Sequence, residues 1–208
     1  MLERATAHAK ERHQFGQPLA AFGLVKEKIA TMAALTYAVE ASTYLTAGLL
    51  DRGEEDFKLE TAIVKVFASE AQWRICYEAM QILGGSSFFT DQPFERYMRD
   101  ARLNTIGEGA NEVLRTFLIA AVGLGDIGLK VEEMLESKSK IGGFGKLLGF
   151  GASSIERMLK TPTVPVQSPE LRAEADQLAS ATRRFGIAVM RALATHRKAV
   201  LDKQMLCN

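Results

Sequence analysis

Glu108 lies between Gly107 and Gly109 in the stretch Arg99–Arg115, and directly after it come Asn111 and an apolar run of Val113, Leu114, Phe117 and Leu118. Flanking glycines remove side-chain bulk on both sides and let the backbone pass close to a ligand. Asn111 is a residue type that caps helices, so the spacing predicts a tight turn carrying one carboxylate just before a helix start. A flat ligand could approach that carboxylate. A solvent-facing Glu in a glycine-rich loop is the competing reading of the same residues. No other group competes for chemistry by pattern. The two cysteines, Cys76 and Cys207, lack metal-ligand spacing, and His8, His13 and His196 form no cluster. A reduced, metal-free intracellular protein is expected.

The elements that must hold Glu108 are helical. Leu2, Ala5, Ala9 and His13 predict the end of a helix over 1–14 that stops before Gly16 and Pro18. Val25, Ile29, Met32, Leu35 and Val39 predict a helix over about 24–50, turned round by Asp51–Asp56. From Phe57 to about Leu83, the residues Leu59, Ile63, Val66, Phe67, Trp73, Tyr77 and Met80 predict a wide buried stripe, broken at Glu70. Gly84–Ser87 ends that helix, Pro93 opens a short one through about Asp100, and the Glu108 turn leads into a helix over about 111–122. Short loops between such helices imply an all-α antiparallel four-helix bundle. No segment shows a convincing alternation for a strand.

After Gly123–Gly125 the character changes. Residues 124–168 read as a short helix to about Glu136, a Gly-rich amphipathic basic stretch, and an extended linker over Thr161–Ser168 that ends in a helix cap at Ser168. Residues 169–208 read as the start of a further helical domain with Leu171, Leu178, Phe185, Val189, Leu193 and Val200 on its apolar side. Within 138–160, Phe144, Leu147, Leu148, Ile155, Met158 and Leu159 share a helical face. Five basic residues (Lys138, Lys140, Lys146, Arg157, Lys160) stand against Glu156 alone, a pattern that suits a peripheral contact with anionic lipid. A surface helix packed on its neighbour is the alternative.

With 208 residues, 47% of them hydrophobic, the chain can bury a sizeable core. A formal net charge of +1 excludes the basic field of a nucleic-acid binder. No apolar run reaches the ~18 residues of a membrane span, and the N-terminus lacks a signal-peptide core.

Three local patterns occur in order: Glu11-Arg-His-Gln-Phe-Gly-Gln-Pro-Leu19, Gln81-Ile-Leu-Gly-Gly85, and Arg99-Asp-Ala-Arg102 followed by Ile106-Gly-Glu-Gly-Ala-Asn-Glu-Val-Leu-Arg115. Together they resemble the C-terminal helical domain of the acyl-CoA dehydrogenases, over roughly residues 1–123. Phe22–Lys28, Glu55–Phe57 and Lys65–Ala71 look most like the very-long-chain branch. Residues 169–208 would then begin that branch's extra C-terminal domain.

The resemblance implies FAD, oxidation of a long-chain acyl-CoA to the trans-2-enoyl-CoA in fatty-acid β-oxidation, and electron transfer to an electron-transfer flavoprotein. It also implies a homo-oligomer, dimer or tetramer, located in the cytoplasm of a bacterium or the mitochondrion of a eukaryote. Glu108 matches the base that removes the substrate α-proton, and a carboxylate in a water-poor site is a stronger base. Arg12 and Phe15 match positions that reach the FAD of a neighbouring subunit, Arg12 at the pyrophosphate, where fixed guanidinium donors suit phosphate oxygens. Gln81, Gly84 and Gly85 match the segment along the adenosine. Taken singly, Arg12 could pair with a helix carboxylate, Gln81 could cap, and the glycine pair could be an ordinary helix stop. The chain departs from the family pattern at Gly107, where an aromatic is usual and whose absence should widen the acyl pocket. It departs again at Ala110, a cofactor-contact position where Thr or Ser is usual. The β domain that carries most flavin-ring contacts is absent from this sequence, so the 208 residues read as a fragment inactive alone. A family member that has become an assembly or scaffold protein is the reading from another class, and the presence of Glu108 argues against it.

Overall fold

The computed structural model describes residues 1–120, 122, 160–200 and 203. The chain forms two compact units, Met1–Ile119 and Ala120–Asn208. The first unit is helical: α1 (Leu2–Glu11), α2 (Gly23–Asp51), α3 (Lys58–Leu83), α4 (Phe94–Asn104), and α5 (Asn111–Val113), which runs on as a π-helix over Leu114–Ala120. The expected all-α class holds. Helix α2 turns into α3 through the Arg52–Phe57 loop, so the two longest helices form an antiparallel hairpin.

The core of this unit sits where α1, α2, α3 and α4 meet. Small residues let the helices close on one another: Ala5 and Ala9 of α1 and Ala79 of α3 are wholly buried, with Met32, Ile75, Ile82 and Phe94 filling the space between. Phe94 stands edge-on to Tyr97, ring centroids 5.9 Å apart. Cys76 is buried beside this core, and burial pushes its thiol pKa up. One charge is taken inside. Glu78 of α3 is buried and its carboxylate is met by Lys28 of α2 and, at 2.5 Å, by Arg74 one turn earlier. That arrangement ties α2 to α3, because withdrawing either cation leaves a desolvated carboxylate short of a partner.

Several boundaries differ from the sequence-based expectation. Helix α1 stops at Glu11, and His13–Gln14 pairs antiparallel with Gln17–Pro18 as a two-stranded hairpin, β1 and β2, that alternation over so few residues could not announce. Its turn residues Phe15 and Gly16 both have positive φ, 53° and 81°, the geometry that matches the twist of a two-residue hairpin. Helix α4 extends to Asn104, beyond the expected end near Asp100. The expected buried stripe of α3 is only partly buried: Val66, Ala62 and Ile75 face inward, while Ile63, Phe67, Trp73 and Tyr77 are between 36% and 50% exposed.

In the second unit a 3-10 turn, Pro169–Leu171, leads into α6 (Arg172–His196), followed by a 3-10 turn over Arg197–Val200. Ser168 precedes the first turn but makes no side-chain cap bond, contrary to expectation. Ala175, Ala179 and Val200 are buried, whereas Leu171, Leu178 and Phe185 are exposed. The expected membrane contact over 138–160 lies, apart from Lys160, outside the described residues, as does Cys207. No described helix is long and apolar enough to cross a membrane.

Two measurements follow from this packing. Tyr37, Tyr44, Leu45 and Leu50 of α2 and Ile63, Trp73 and Tyr77 of α3 are large apolar side chains left open to solvent, and exposed apolar surface of this kind favours association. The 208-residue chain is therefore expected to self-associate, and a clean monomer by light scattering would rule that out. Lys28→Met is expected to cost about 1–3 kcal/mol in urea unfolding, less than the ~3–5 kcal/mol of a wholly buried pair, because Lys28 is partly in water and Arg74 still meets Glu78.

Candidate active site

Glu108 sits in the turn between α4 and α5 with φ of 56°, in the left-handed region. Only Phe15 shares that conformation among the described non-glycine residues. Left-handed backbone costs an L-residue roughly 1–2 kcal/mol, so the surrounding structure must hold Glu108 in place. Gly109 continues the left-handed turn at φ 93°, and a Cβ there would stand 3.1 Å from Leu114 Cδ2. Gly107, by contrast, has an ordinary φ, and an added Cβ would meet only the Leu103 carbonyl at 3.4 Å. The Glu108 side chain is exposed, and its carboxylate has no hydrogen bond or ion pair among the described residues.

The turn is fastened on all sides. Gly107 and Ile106 N–H groups both donate to the Leu103 carbonyl, at 2.8 and 2.9 Å, and Asn111 N–H donates back to the Thr105 carbonyl at 3.1 Å. Thr105 Oγ1 bonds the Arg102 carbonyl at 2.8 Å and is itself met by the Arg102 guanidinium. Asn104 Nδ2 donates to Gln72 Oε1 of α3 at 2.8 Å. The strongest tethers are cationic. Lys65 Nζ donates to the Gly109 carbonyl at 2.7 Å and to Asn111 Oδ1 at 2.8 Å, and Arg115 Nη2 meets both carboxylate oxygens of Glu70 at 2.7 and 2.6 Å.

Asn111 plays a different part from the one its type predicts. Ala110 occupies the cap position, with φ −56° and ψ 143°, and offers no side-chain oxygen, while Asn111 is the first helical residue. The Asn111 side chain is buried against α3, where Nδ2 donates to Ser69 Oγ at 3.0 Å and the Ser69 hydroxyl donates in turn to the Val66 carbonyl at 3.1 Å. Capping lost out because a buried amide with several partners on α3 gains more than one exposed N–H bond. Sequence reasoning missed Lys65, Ser69, Glu70 and Arg115. Part of their signal was available: Lys65, Ser69 and Gln72 fall at i, i+4 and i+7 in the predicted helix, and polar residues at that spacing share a face.

The other expected site residues lie elsewhere on the unit. Arg12 is the residue at the C-terminal end of α1; its carbonyl accepts from Leu19 N–H at 2.8 Å, and its guanidinium has no carboxylate within ion-pair reach among the described residues. Phe15 is 91% exposed at the hairpin tip, edge-on to Phe22. Gln81 is exposed in the last turn of α3, and Gly84 ends that helix with φ 62°, ψ −144°. At Gly84 and Gly85 an added Cβ would have nothing within 4 Å, so both present bare backbone to open space. Ser87 Oγ fixes this second turn by bonding the Met80 and Gly84 carbonyls. From Lys65, which holds the Glu108 turn, to Gly84 is 19 residues of helix, on the order of 25–30 Å. One copy of the chain thus carries two separate surfaces, one around Glu108 and one at the far end of α3.

Residues 1–123 match the family model described as the acyl-CoA dehydrogenase C-terminal domain. The chain belongs to the acyl-CoA dehydrogenase family. Over 99% of its length it is 34% identical to the mitochondrial very long-chain specific acyl-CoA dehydrogenase of Mus musculus, covering 32% of that protein. The Bacillus anthracis acyl-CoA dehydrogenase solved in complex with FAD superposes with a TM-score of 0.75 at 27% identity, over 99% of this chain and 36% of that one. Butyryl-CoA dehydrogenase of Megasphaera elsdenii matches 59% of this chain and 32% of its own, at 35% identity and a TM-score of 0.56. Two of these similarities therefore run on past the family domain into the second unit. The chain spans about a third of the length of the curated family members it matches.

A local test of the turn is Gly109→Ala. With φ at 93° and Leu114 in the way, the substitution is expected to lower unfolding stability by about 1–2 kcal/mol, read from the urea midpoint. An unchanged midpoint would mean that this turn is not held left-handed in solution.

Proposed function

We propose that this chain supplies the C-terminal helices of an FAD-dependent dehydrogenase that converts a long-chain acyl-CoA to the trans-2-enoyl-CoA, with Glu108 as the base. The observation that carries the reading is the Glu108 turn. A carboxylate unpaired among the described residues is presented in a strained conformation, with glycine on either side and tethers to α3 behind it, in a member of the acyl-CoA dehydrogenase family. A group that must receive a proton gains from having no competing partner, and a fixed backbone keeps it within bonding range of the carbon acid.

The residues present fit a flat, polyanionic cofactor. Arg12 offers a guanidinium with no carboxylate partner among the described residues, Phe15 an exposed ring, and Gln81, Gly84 and Gly85 a polar side chain beside bare backbone. FAD, when bound, supplies the acceptor for the hydride that leaves the substrate β-carbon. Glu108 takes up the α-proton, and the carboxylate becomes a carboxylic acid as the α-carbon releases its electron pair toward the new double bond. Ala110, at the helix start beside it, brings no hydroxyl to the cofactor and leaves that contact to its backbone. Gly107 leaves room for the acyl chain. The separation of the Glu108 turn from Gly84 supports a cofactor shared between two subunits of a dimer or tetramer, with Arg12, Phe15 and the Gln81–Gly85 turn serving the neighbour's FAD.

Electrons pass on to an electron-transfer flavoprotein in this reading, and the compartment is mitochondrial in a eukaryote or cytoplasmic in a bacterium. On the sequence alone, residues 124–168 are assigned to a Gly-rich amphipathic segment and linker, and residues 169–208 to the start of an additional helical domain. The basic, apolar segment 138–160 is assigned a peripheral membrane contact on its sequence alone.

Glu108→Gln in the holoenzyme keeps shape and hydrogen bonding but removes the base. Flavin reduction by a long-chain acyl-CoA, followed by bleaching of the flavin absorbance, is expected to slow by ~10²–10⁴-fold with FAD content unchanged. Reduction at the parental rate would place the base on another residue. A parent protein whose flavin band ignores acyl-CoA would favour the assembly role over catalysis.

A further inference from the structure

We propose that Lys65 is a positioning residue for the reaction, acting through Glu108 by clamping the Gly109 carbonyl and the Asn111 side chain. The inference rests on the assignment of Glu108 as the base. The geometry is specific. The ammonium bonds two oxygens, at 2.7 and 2.8 Å, that lie one and three residues beyond Glu108 in the chain. Fixing the Gly109 carbonyl sets the Gly109–Ala110 peptide plane, one residue beyond Glu108, and fixing Asn111 sets the first turn of the following helix. With the Gly107 N–H bound to the Leu103 carbonyl on one side and the Gly109 carbonyl bound to Lys65 on the other, the backbone of Glu108 between them has little freedom to leave its left-handed conformation.

A neutral donor could satisfy either oxygen alone, but the turn must be held against its own strain. A charge-assisted bond is roughly twice as strong as a neutral one, and one ammonium can donate to both acceptors. The anchor itself is rigid: Lys65 stems from the body of α3 and Ser69, one turn further on, receives the other side of the same Asn111 amide. Glu70 and Arg115 repeat the pattern one step out, binding α3 to the start of the π-helix. Lys65 does not touch substrate in this scheme. Its effect is to keep the Glu108 carboxylate on one trajectory, which belongs to the rate of proton removal and not to substrate affinity.

The test is a double-mutant cycle in the FAD-loaded holoenzyme, read by single-turnover flavin reduction with a long-chain acyl-CoA. Lys65→Met keeps the aliphatic stem and removes the ammonium. The expected result is a 10–100-fold slower reduction at saturating acyl-CoA, with acyl-CoA affinity and FAD content within twofold of the parent. In a Glu108→Gln background, the same substitution is expected to cost less than twofold further, because a group that acts through Glu108 has nothing left to position. An equal loss in both backgrounds, or a loss carried by acyl-CoA affinity, would overturn the proposal. If Lys65→Met fails to retain FAD, Lys65→Gln, which keeps a donor, is measured in the same cycle. At least threefold slower reduction, absent from the Glu108→Gln background, then supports the clamp, and failure of both variants to hold FAD overturns it by assigning Lys65 to the fold alone. Should Glu108→Gln itself reduce at the parental rate, the base assignment fails first and separately.

Discussion

The ammonium of Lys65 spans the gap between α3 and the turn that ends α4, and the geometry of the candidate site depends on that bridge. A glycine-rich turn between two short helices has little apolar surface of its own with which to hold a shape. The Glu108 turn also contains a residue in a conformation that L-amino acids avoid. Local hydrogen bonds to the Leu103 and Thr105 carbonyls shape the turn but do not locate it against the bundle. Location comes from α3 through Lys65, Ser69, Glu70 and Gln72, four polar residues on a helix whose inner face otherwise packs on alanine, valine and isoleucine. The same helix thus builds the core with one set of residues and aims the site with another.

That division explains which features could be read from the residues alone. Helix spans depend on local periodicity and on glycine and proline, so α2 and α3 fall within a residue or two of expectation. The Glu108 turn announced itself through its two glycines. What could not be read is nonlocal. Asn111 is a cap by type, yet its amide is drawn into a buried network 42 residues away in sequence on Ser69, a choice that only the assembled fold can offer. The β1–β2 hairpin is held by the left-handed pair Phe15 and Gly16, and a phenylalanine is among the residues least expected to take that conformation. The π-helical stretch after Val113 has no composition of its own, since it differs from an α-helix by one residue per turn of bonding.

The exposed aromatics on α3 were expected to be core, and their exposure has a physical reason. Trp73 and Tyr77 stand about three turns beyond Ala62 and Val66 on the same side of the helix, whereas the core residues Ile75, Ala79 and Ile82 lie on the opposite side. Burying the whole stripe would therefore need neighbours on both sides along the full length of α3. Helices α1, α2 and α4 cover one side. The side buried at Ala62 and Val66 is open further along at Trp73 and Tyr77, where the Arg74 guanidinium stands 5.8 Å from the Tyr77 ring centroid.

The distribution of backbone strain makes the final connection. Among the described residues, the two non-glycine positions with left-handed φ are Phe15 and Glu108, and these are the positions at which similarity to the family predicts contact with cofactor and with substrate. Strain of this kind persists only where packing or hydrogen bonding over-determines the backbone. At Phe15 the over-determination comes from strand pairing of His13 with Pro18 and from the bond between Leu19 N–H and the Arg12 carbonyl. At Glu108 it comes from Lys65 and Asn111. Both devices act on the main chain and leave the side chain largely open, one a ring 91% exposed with only an edge contact to Phe22 and the other a carboxylate without a partner among the described residues. A structural residue is ordinarily fixed by its own side-chain contacts. Here the backbone is fixed so that the side chain need not be, which is the arrangement expected of groups whose partners arrive from outside the chain.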